Sequence, residues 1–414
     1  MKTFSKSFTQ QEPISDQGIQ MAVDILQTGK LHRYNLDPGE QGHTSLLEEE
    51  FAAYIGKKYG LACASCGSAL YLAMKSAGVK PGDKVLCNAY TLAPVPGAIE
   101  NTGASIELVE ITDDYKIDLD HLAHKAATSG SRFLLLSHMR GHIADMDKII
   151  EICKTHQLTL IEDCAHTMGA AWNGKKSGSF GHVACFSTQT YKHINSGEGG
   201  LLVTDDAELI ARAIIHSGSY MLYERHTARP DLATFEALKT QVPNYSCRLD
   251  HLRAAILRPQ LANLDHQCQR WNQRYRVLEQ AINATTLLTC PPREPKEEFV
   301  GSSIQFTVQT EDLHLIQRFL QACHERGVEI KWFGHQEPVG FTSAFDSWHY
   351  MEATPELPNT KKVLATLCDM RIPLTFSLED CQTIGEILKA IASELIALSP
   401  ASENSANKVG SVAD

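Results

Sequence analysis

The sequence has no run of basic residues, no internal repeat, and no stretch approaching the ~18 apolar residues of a membrane span. With 38 Lys and Arg against 49 Asp and Glu, its formal net charge is −11. A net-acidic chain without a basic patch is poorly matched to nucleic acid or to an anionic membrane, so neither partner is expected. The opening MKTFSKSFTQQEPISD lacks the apolar core of a secretion signal. The expected location is the cytoplasm, with thiols reduced. Twelve cysteines are present but scattered, and Cys63-Ala-Ser-Cys66 alone has redox or half-zinc spacing. No second Cys pair or His pair follows at metal-site distance, so no metal is expected and the cysteines read as small buried side chains.

What is there is an ordinary globular composition over 414 residues, 43% hydrophobic and 21% charged. From about residue 60, short apolar runs alternate with amphipathic stretches of about ten residues. The runs are Leu61–Ala64, Lys84–Cys87, Ser105–Val109, Arg132–Leu136, Leu158–Ile161, Val183–Phe186 and Leu201–Thr204. This alternation predicts an α/β fold with a mainly parallel sheet. Residues 249–288 read as largely helical, with Pro259 at a kink or in an early turn. Beyond 300, strands at Ile304–Val308 and Val328–Lys331 and helices at Asp312–Arg326 and Leu378–Leu395 suggest a smaller C-terminal α/β domain. The expected division is 1–255 for an N-terminal region and large domain, 256–398 for a linking helix and small domain, and 399–414 for a disordered tail.

Chemistry concentrates in residues 161–200. Asp163 stands at the C-terminal end of an apolar strand, where ligands of open α/β sheets bind. A second run, ending at Phe186, leads through Ser187 to Lys192 and then to Gly197-Glu198-Gly199-Gly200. Taken alone, Lys192 reads as a solvated side chain or as a phosphate-binding point charge. Gly67 and Ser68 follow a strand and open a helix, offering N–H groups to an anion, or a plain Ser N-cap. Tyr90 follows the next strand and offers a ring to stack on a planar ligand, or simply a core tyrosine. Together, phosphate donors, an aromatic face, a carboxylate and a lysine are the parts of a pyridoxal 5'-phosphate site.

Three segments carry a resemblance: LLEEEFAAYIGKKYGLACASCGSALYLAMKSAGVKPGDKVLCNAYTLAPVPGAIENTGA, IEDCAHTMGAAWNGKKSGSFGHVACFSTQTYKHINSGEGGLLVTDD and RLDHLRAAILRPQL. In their order and spacing the chain resembles the DegT/DnrJ/EryC1/StrS aminotransferases, over nearly its whole length. The resemblance implies the type I aminotransferase fold, with a mostly parallel mixed seven-stranded sheet and a smaller α/β domain. It makes Lys192 the Schiff-base lysine, Asp163 the partner of the pyridine nitrogen and His166 a contact of the ring's phenolic oxygen. It places Tyr90 over the cofactor, and Gly67, Ser68 and Ser187 on its phosphate. The family's usual Asn-Tyr-Arg is here Ser246-Cys247-Arg248, with Asn244 two residues earlier, so either Asn244 or Ser246 is the candidate for the cross-subunit phosphate contact. A homodimer with shared active sites follows.

The implied reaction is ping-pong transfer of an amino group from glutamate or glutamine to a ketone. A branch that replaces the lysine by His runs dehydration instead, but Tyr191-Lys192-His193 keeps the lysine. A regulator without turnover and a fold-related lyase are the other readings. The pattern from Phe186 to Gly200 looks most like members that aminate cyclitol ketones rather than nucleotide sugars. The segment from Ser219 to Val242 reads as a wall of the acceptor pocket or as a surface excursion.

Overall fold

Five-residue strands dominate the core: β1 Tyr59–Cys63, β2 Lys84–Asn88, β3 Ser105–Val109, β4 Phe133–Ser137 and β5 Thr159–Asp163. After a short hairpin, β6 Ala171–Trp172 and β7 Lys175–Lys176, come β8 Val183–Ser187 and β9 Gly200–Thr204. The structure, a computed structural model, describes residues 2–398, so the expected tail at 399–414 lies outside the described residues. Its main sheet has seven strands in the order β1-β9-β8-β5-β4-β2-β3. Strand β9 is antiparallel to both neighbours, and the pairs among β8, β5, β4, β2 and β3 are parallel.

Both faces of this sheet are covered, which is why its central strands are apolar at successive positions rather than alternately. Every residue of β4, Phe-Leu-Leu-Leu-Ser, is buried. Leu61, Val85, Phe133 and Val183 enter one core, and Ala62, Leu86, Leu134 and Ala184 enter the other, as the two-residue period requires. The consequence for function is at one edge. The C-terminal ends of β1, β2, β4, β5 and β8 lie side by side, so the loops that follow them form one rim.

The C-terminal part has its own sheet of β10 Leu288–Thr289, β12 Ser303–Val308, β14 Leu367–Arg371 and β13 Lys331–Trp332, in that order and antiparallel. Between them, β11 Glu297–Glu298 joins the β6–β7 hairpin. Helices Leu264–Asn283, Leu313–Glu325 and Leu378–Ala397 pack on the four-stranded sheet around a third core. Phe4 and Phe8 belong to that core, where their rings meet Phe376 edge-to-face at 5.0 Å each.

Three local expectations change. The expected boundary between residues 255 and 256 falls inside helix His251–Ala262. Pro259 is in the second half of that helix, and the chain breaks at Asn263 instead, where φ is −101° and ψ is 4°. The strand expected at Val328 begins only at Lys331, because Gly327 turns left-handed (φ +79°) and the Val328 N–H closes on the Cys323 carbonyl as a helix end.

Candidate active site

The loops of the rim surround a cavity of about 510 Å³, lined by Gly67, Asp163, His166, Ser187 and Lys192 among others. Four other sequence candidates, Ser68, Tyr90, Asn244 and Ser246, are not in its lining.

Lys192 lies in the connection from β8 to β9, and its Nζ is 2.8 Å from His166 Nε2. Burial, and next the Arg140 charge, hold its amine at about 8 rather than the usual 10.5. Burial and the Lys192 charge push His166 well below 6.5, so its ring is neutral and Nε2 accepts from the amine. An amine near neutrality can take up and release a proton at working pH, which an ordinary lysine cannot. Replacing Arg140 by Gln removes a neighbouring cation and must therefore raise the Lys192 value. The rate at which the apoenzyme develops a visible absorption band on adding pyridoxal 5'-phosphate should climb through about pH 8 in the wild type and at higher pH in Arg140→Gln.

Asp163 ends β5 with its carboxylate buried. Its Oδ2 accepts from Ser137 Oγ at 2.7 Å and its Oδ1 from the Ala165 N–H at 3.1 Å. Thr91 Oγ1 in turn donates to Ser137 Oγ at 2.7 Å. Asn88 clamps the same point, accepting from the Ser137 N–H and donating to the Tyr90 and Ser137 carbonyls. A carboxylate fixed through two bonds still has lone pairs for a third partner. Thr91, Ser137 and Asn88 are positioning residues absent from the sequence expectation; their signal is polarity at and just after the ends of two strands, β2 and β4, that are neighbours only in the folded sheet.

Helix Cys66–Ser76 begins at the rim with Ser65 as its N-cap. The Ser65 hydroxyl accepts from the Ser68 N–H at 3.0 Å, so that donor is already used, and Gly67 is the member of the pair that faces the cavity. The Ser N-cap reading therefore holds, and Gly67 remains the candidate of the pair for an anion. Gly200 holds this helix start close: a Cβ there would be 2.4 Å from the Ser65 carbonyl oxygen. Ser65→Ala should lower stability by about 0.5–2 kcal/mol, as loss of an N-cap does, read from the urea midpoint. Ser187 Oγ accepts from the Gln189 N–H at 3.3 Å and keeps its own hydrogen for a ligand.

Tyr90 does not stack over the cavity. Its ring is in the core, edge-on to Phe333 at 5.2 Å, and it is Leu92 that reaches the lining. The chain turns at Asn88, and two residues further on decide which side chain faces in. Asn244 and Ser246 are exposed; Asn244 Oδ1 accepts from the Tyr220 N–H and Ser246 Oγ from Arg248. The segment 219–242 does not line the cavity either. It is pinned elsewhere, by Tyr223 stacked on Phe235 at 4.7 Å and by His226 inserted beside a buried Arg33–Glu48 pair. His193 bonds Ser302 Oγ at 3.0 Å and packs edge-on to Trp271, and burial holds it at about 3, so it is a neutral neighbour of Lys192.

Among the described residues one cluster, His138, Glu162 and Cys164, has metal-like composition. Glu162 is already engaged by N–H groups of Gly178, Phe180 and Gly181 and by His138, and so works as a structural clasp. All twelve cysteines are free thiols, and no described helix is long and apolar enough to cross a membrane.

A buried amine near neutral pH, a braced carboxylate and a helix N-terminus around one cavity are the donor set of an enzyme using pyridoxal 5'-phosphate, on the sheet edge where such ligands bind. The residues fit that cofactor's aldehyde, ring nitrogen and phosphate in kind. The chain belongs to the DegT/DnrJ/EryC1/StrS aminotransferase family, which it matches over residues 14–389. It is 31% identical over 328 residues to a pleiotropic regulatory protein of Geobacillus stearothermophilus, covering 76% of this chain and 80% of that one. It is 34% identical over 249 residues to dTDP-3-amino-3,4,6-trideoxy-alpha-D-glucose transaminase of Streptomyces venezuelae, covering 59% and 60%. Among solved structures, 3-amino-5-hydroxybenzoic acid synthase superposes with a TM-score of 0.80 at 23% identity, over 94% of this chain and all of the other. That likeness carries the fold: type I, with the mixed seven-stranded sheet expected.

Proposed function

We propose that this enzyme transfers the amino group of glutamate or glutamine to a keto-sugar or keto-cyclitol, in two half-reactions of a ping-pong cycle. The supporting observation is the Lys192 amine, held at about 8 against neutral His166 in the cavity. Pyridoxal 5'-phosphate, when bound, supplies an aldehyde that condenses with amines and a ring that draws electrons away from the reacting carbon. Lys192 would hold it and, once displaced by a substrate amine, move the proton that amino transfer requires. Asp163 would face the ring nitrogen, with Thr91 and Ser137 keeping it in place, and His166 would lie along the ring edge beside the lysine. Gly67 N–H and Ser187 Oγ would take the phosphate.

Retention of the lysine favours amino transfer over dehydration, and the relative named as a sugar transaminase supports a keto-sugar-like acceptor. A cytoplasmic homodimer with shared sites completes the reading; Asn244 and Ser246 are both exposed, as contact with a second copy requires. The test is spectroscopic. Glutamate or glutamine should bleach the visible band of the holoenzyme, and a keto-sugar or an inosose should restore it. A band that no amino donor moves would sink the reading.

A further inference from the structure

Arg140 is absent from the sequence expectation, and it reaches the cavity from a turn held by residues that do not line it. The turn Met139–Gly141 follows β4 and carries two left-handed positions in a row, Arg140 at φ +55° and Gly141 at φ +85°. A residue with a Cβ adopts that backbone at a cost in free energy, so it persists only where the surroundings impose it. Gly141 is tightly enclosed. A Cβ on it would be 3.3 Å from the His166 carbonyl oxygen and 3.4 Å from that of Val300.

What imposes the turn comes from the connection between helix Leu264–Asn283 and β12. Arg293 Nη1 donates to the Gly141 carbonyl at 3.0 Å and to Glu297 Oε1 at 2.8 Å. The same Glu297 oxygen accepts from the Ile143 N–H at 3.3 Å, so one arginine–glutamate pair holds the chain on both sides of His142. His142 itself is bonded to Gln305 of β12 at 2.8 Å. The Arg293 and Glu297 side chains are 5% and 0% exposed, and the guanidinium is enclosed by the rings of Phe299 and Tyr275, at 4.6 and 5.5 Å from their centres. Replacing a buried ion pair by apolar side chains is often neutral for stability or better, so stability alone does not account for this one. Its bonds to the turn do.

The turn matters because of what it carries. Arg140 is only 7% exposed, with Nη2 3.1 Å from Asp369 Oδ2. After burial, the Arg140 charge is the largest influence on the Lys192 amine, and both lower it. Asp163 and the Cys66 thiol act on the amine in the opposite sense, Arg371 acts with Arg140, and His166 and His193 beside it are neutral.

We infer that Arg293 and Glu297 are positioning residues of the reaction: they clasp residues 139–143 from outside the cavity and so fix where the Arg140 guanidinium stands on its wall. The inference rests on the reading of Lys192 as the amine that takes the cofactor, but not on which amine or ketone the enzyme uses.

The test follows the rate at which the apoenzyme takes up pyridoxal 5'-phosphate, read from its visible band against pH. Arg293→Met together with Glu297→Met frees the turn without stranding either charge, so the fold should persist. Once Arg140 can move away, the amine loses a cationic neighbour and its midpoint must rise above the wild-type value of about 8. Uptake at pH 7 should be about 3- to 10-fold slower, because only the neutral amine attacks the aldehyde. Arg293→Lys, which keeps a charge for Glu297 and one flexible donor in place of the fork, should show a smaller rise in the same direction. Adding Arg140→Gln to the double variant should move the midpoint no further than Arg140→Gln alone, since the clasp acts through that residue. A clasp with a merely structural role would lower the urea midpoint and leave the pH midpoint in place. That result, or shifts that simply add, overturns the proposal. If the pH midpoint moves as expected but neither glutamate nor glutamine changes the visible band, the clasp stands and the aminotransferase reading falls.

Discussion

Lys192→Ala should lower amino transfer by about 10⁴-fold, the upper range for removing a positioned acid–base group that also holds the cofactor. Three observations make this position hard to replace. The amine is buried among cationic neighbours and so titrates near neutrality. Its partner, His166, stays neutral and fixes its direction. No second amine lines the cavity among the described residues. The fold should survive, because the backbone of this loop is tied independently, the Lys192 N–H donating to Gln189 O and the Tyr191 N–H to Gln189 Oε1. A variant that folds, shown by an unchanged urea midpoint, while losing both turnover and the visible band is the expected result. Normal turnover would remove Lys192 from the chemistry.

Glu48→Gln should destabilise the protein by about 3–5 kcal/mol, the range for breaking a buried ion pair from one side. Glu48 and Arg33 are fully enclosed and paired at 2.8 and 2.9 Å through both carboxylate oxygens. Glu48 Oε1 also accepts from the Ala62 N–H of β1, and Oε2 lies 3.2 Å from His226. Removing the charge strands Arg33 in a dry site and loosens both β1 and segment 219–242. The pH dependence has a definite sign. Burial by itself would raise the Glu48 value, but the Arg33 charge and His226 outweigh it and hold the carboxyl at about 2, below the ordinary 4.5. A lowered folded value means the contribution is complete above about 4.5 and lost as pH falls towards about 2. Urea midpoints across that window should fall in the wild type and stay flatter in Glu48→Gln.

The central sheet was legible because its strands are apolar on both faces and separated by breaker-rich loops, as at Lys80-Pro81-Gly82-Asp83. Asp163, Lys192 and Gly67 stood out at or after recognisable strands, His166 and Ser187 were named through the family resemblance, and the sheet brings all five to one cavity. Tyr90 could not be placed by the same logic, because the turn at Asn88 is governed by bonds to Ser137, a residue from another strand. Arg140 was invisible for a related reason. Its place 3.1 Å from Asp369 depends on β14 of the C-terminal sheet approaching the loop after β4, a juxtaposition with no trace in local periodicity. The segment 219–242, open in sequence as a pocket wall or a surface excursion, shows the converse, since its His226 is used as a plug for a buried ion pair.

The Phe4–Phe8–Phe376 contact has a consequence in time. Phe4 and Phe8 are made some 370 residues before the ring they pack against, roughly 20–75 s at ribosomal rates of 5–20 residues per second. The core that receives them runs from Tyr275 to Leu395, and the Phe4 N–H also bonds the Arg326 carbonyl, so this segment finds its native partners only after the strands of the main sheet have been made. The Glu12–Ser15 stretch just behind it lines the cavity. Ordering of this wall of the cavity therefore waits on the C-terminal sheet and the helices packed against it.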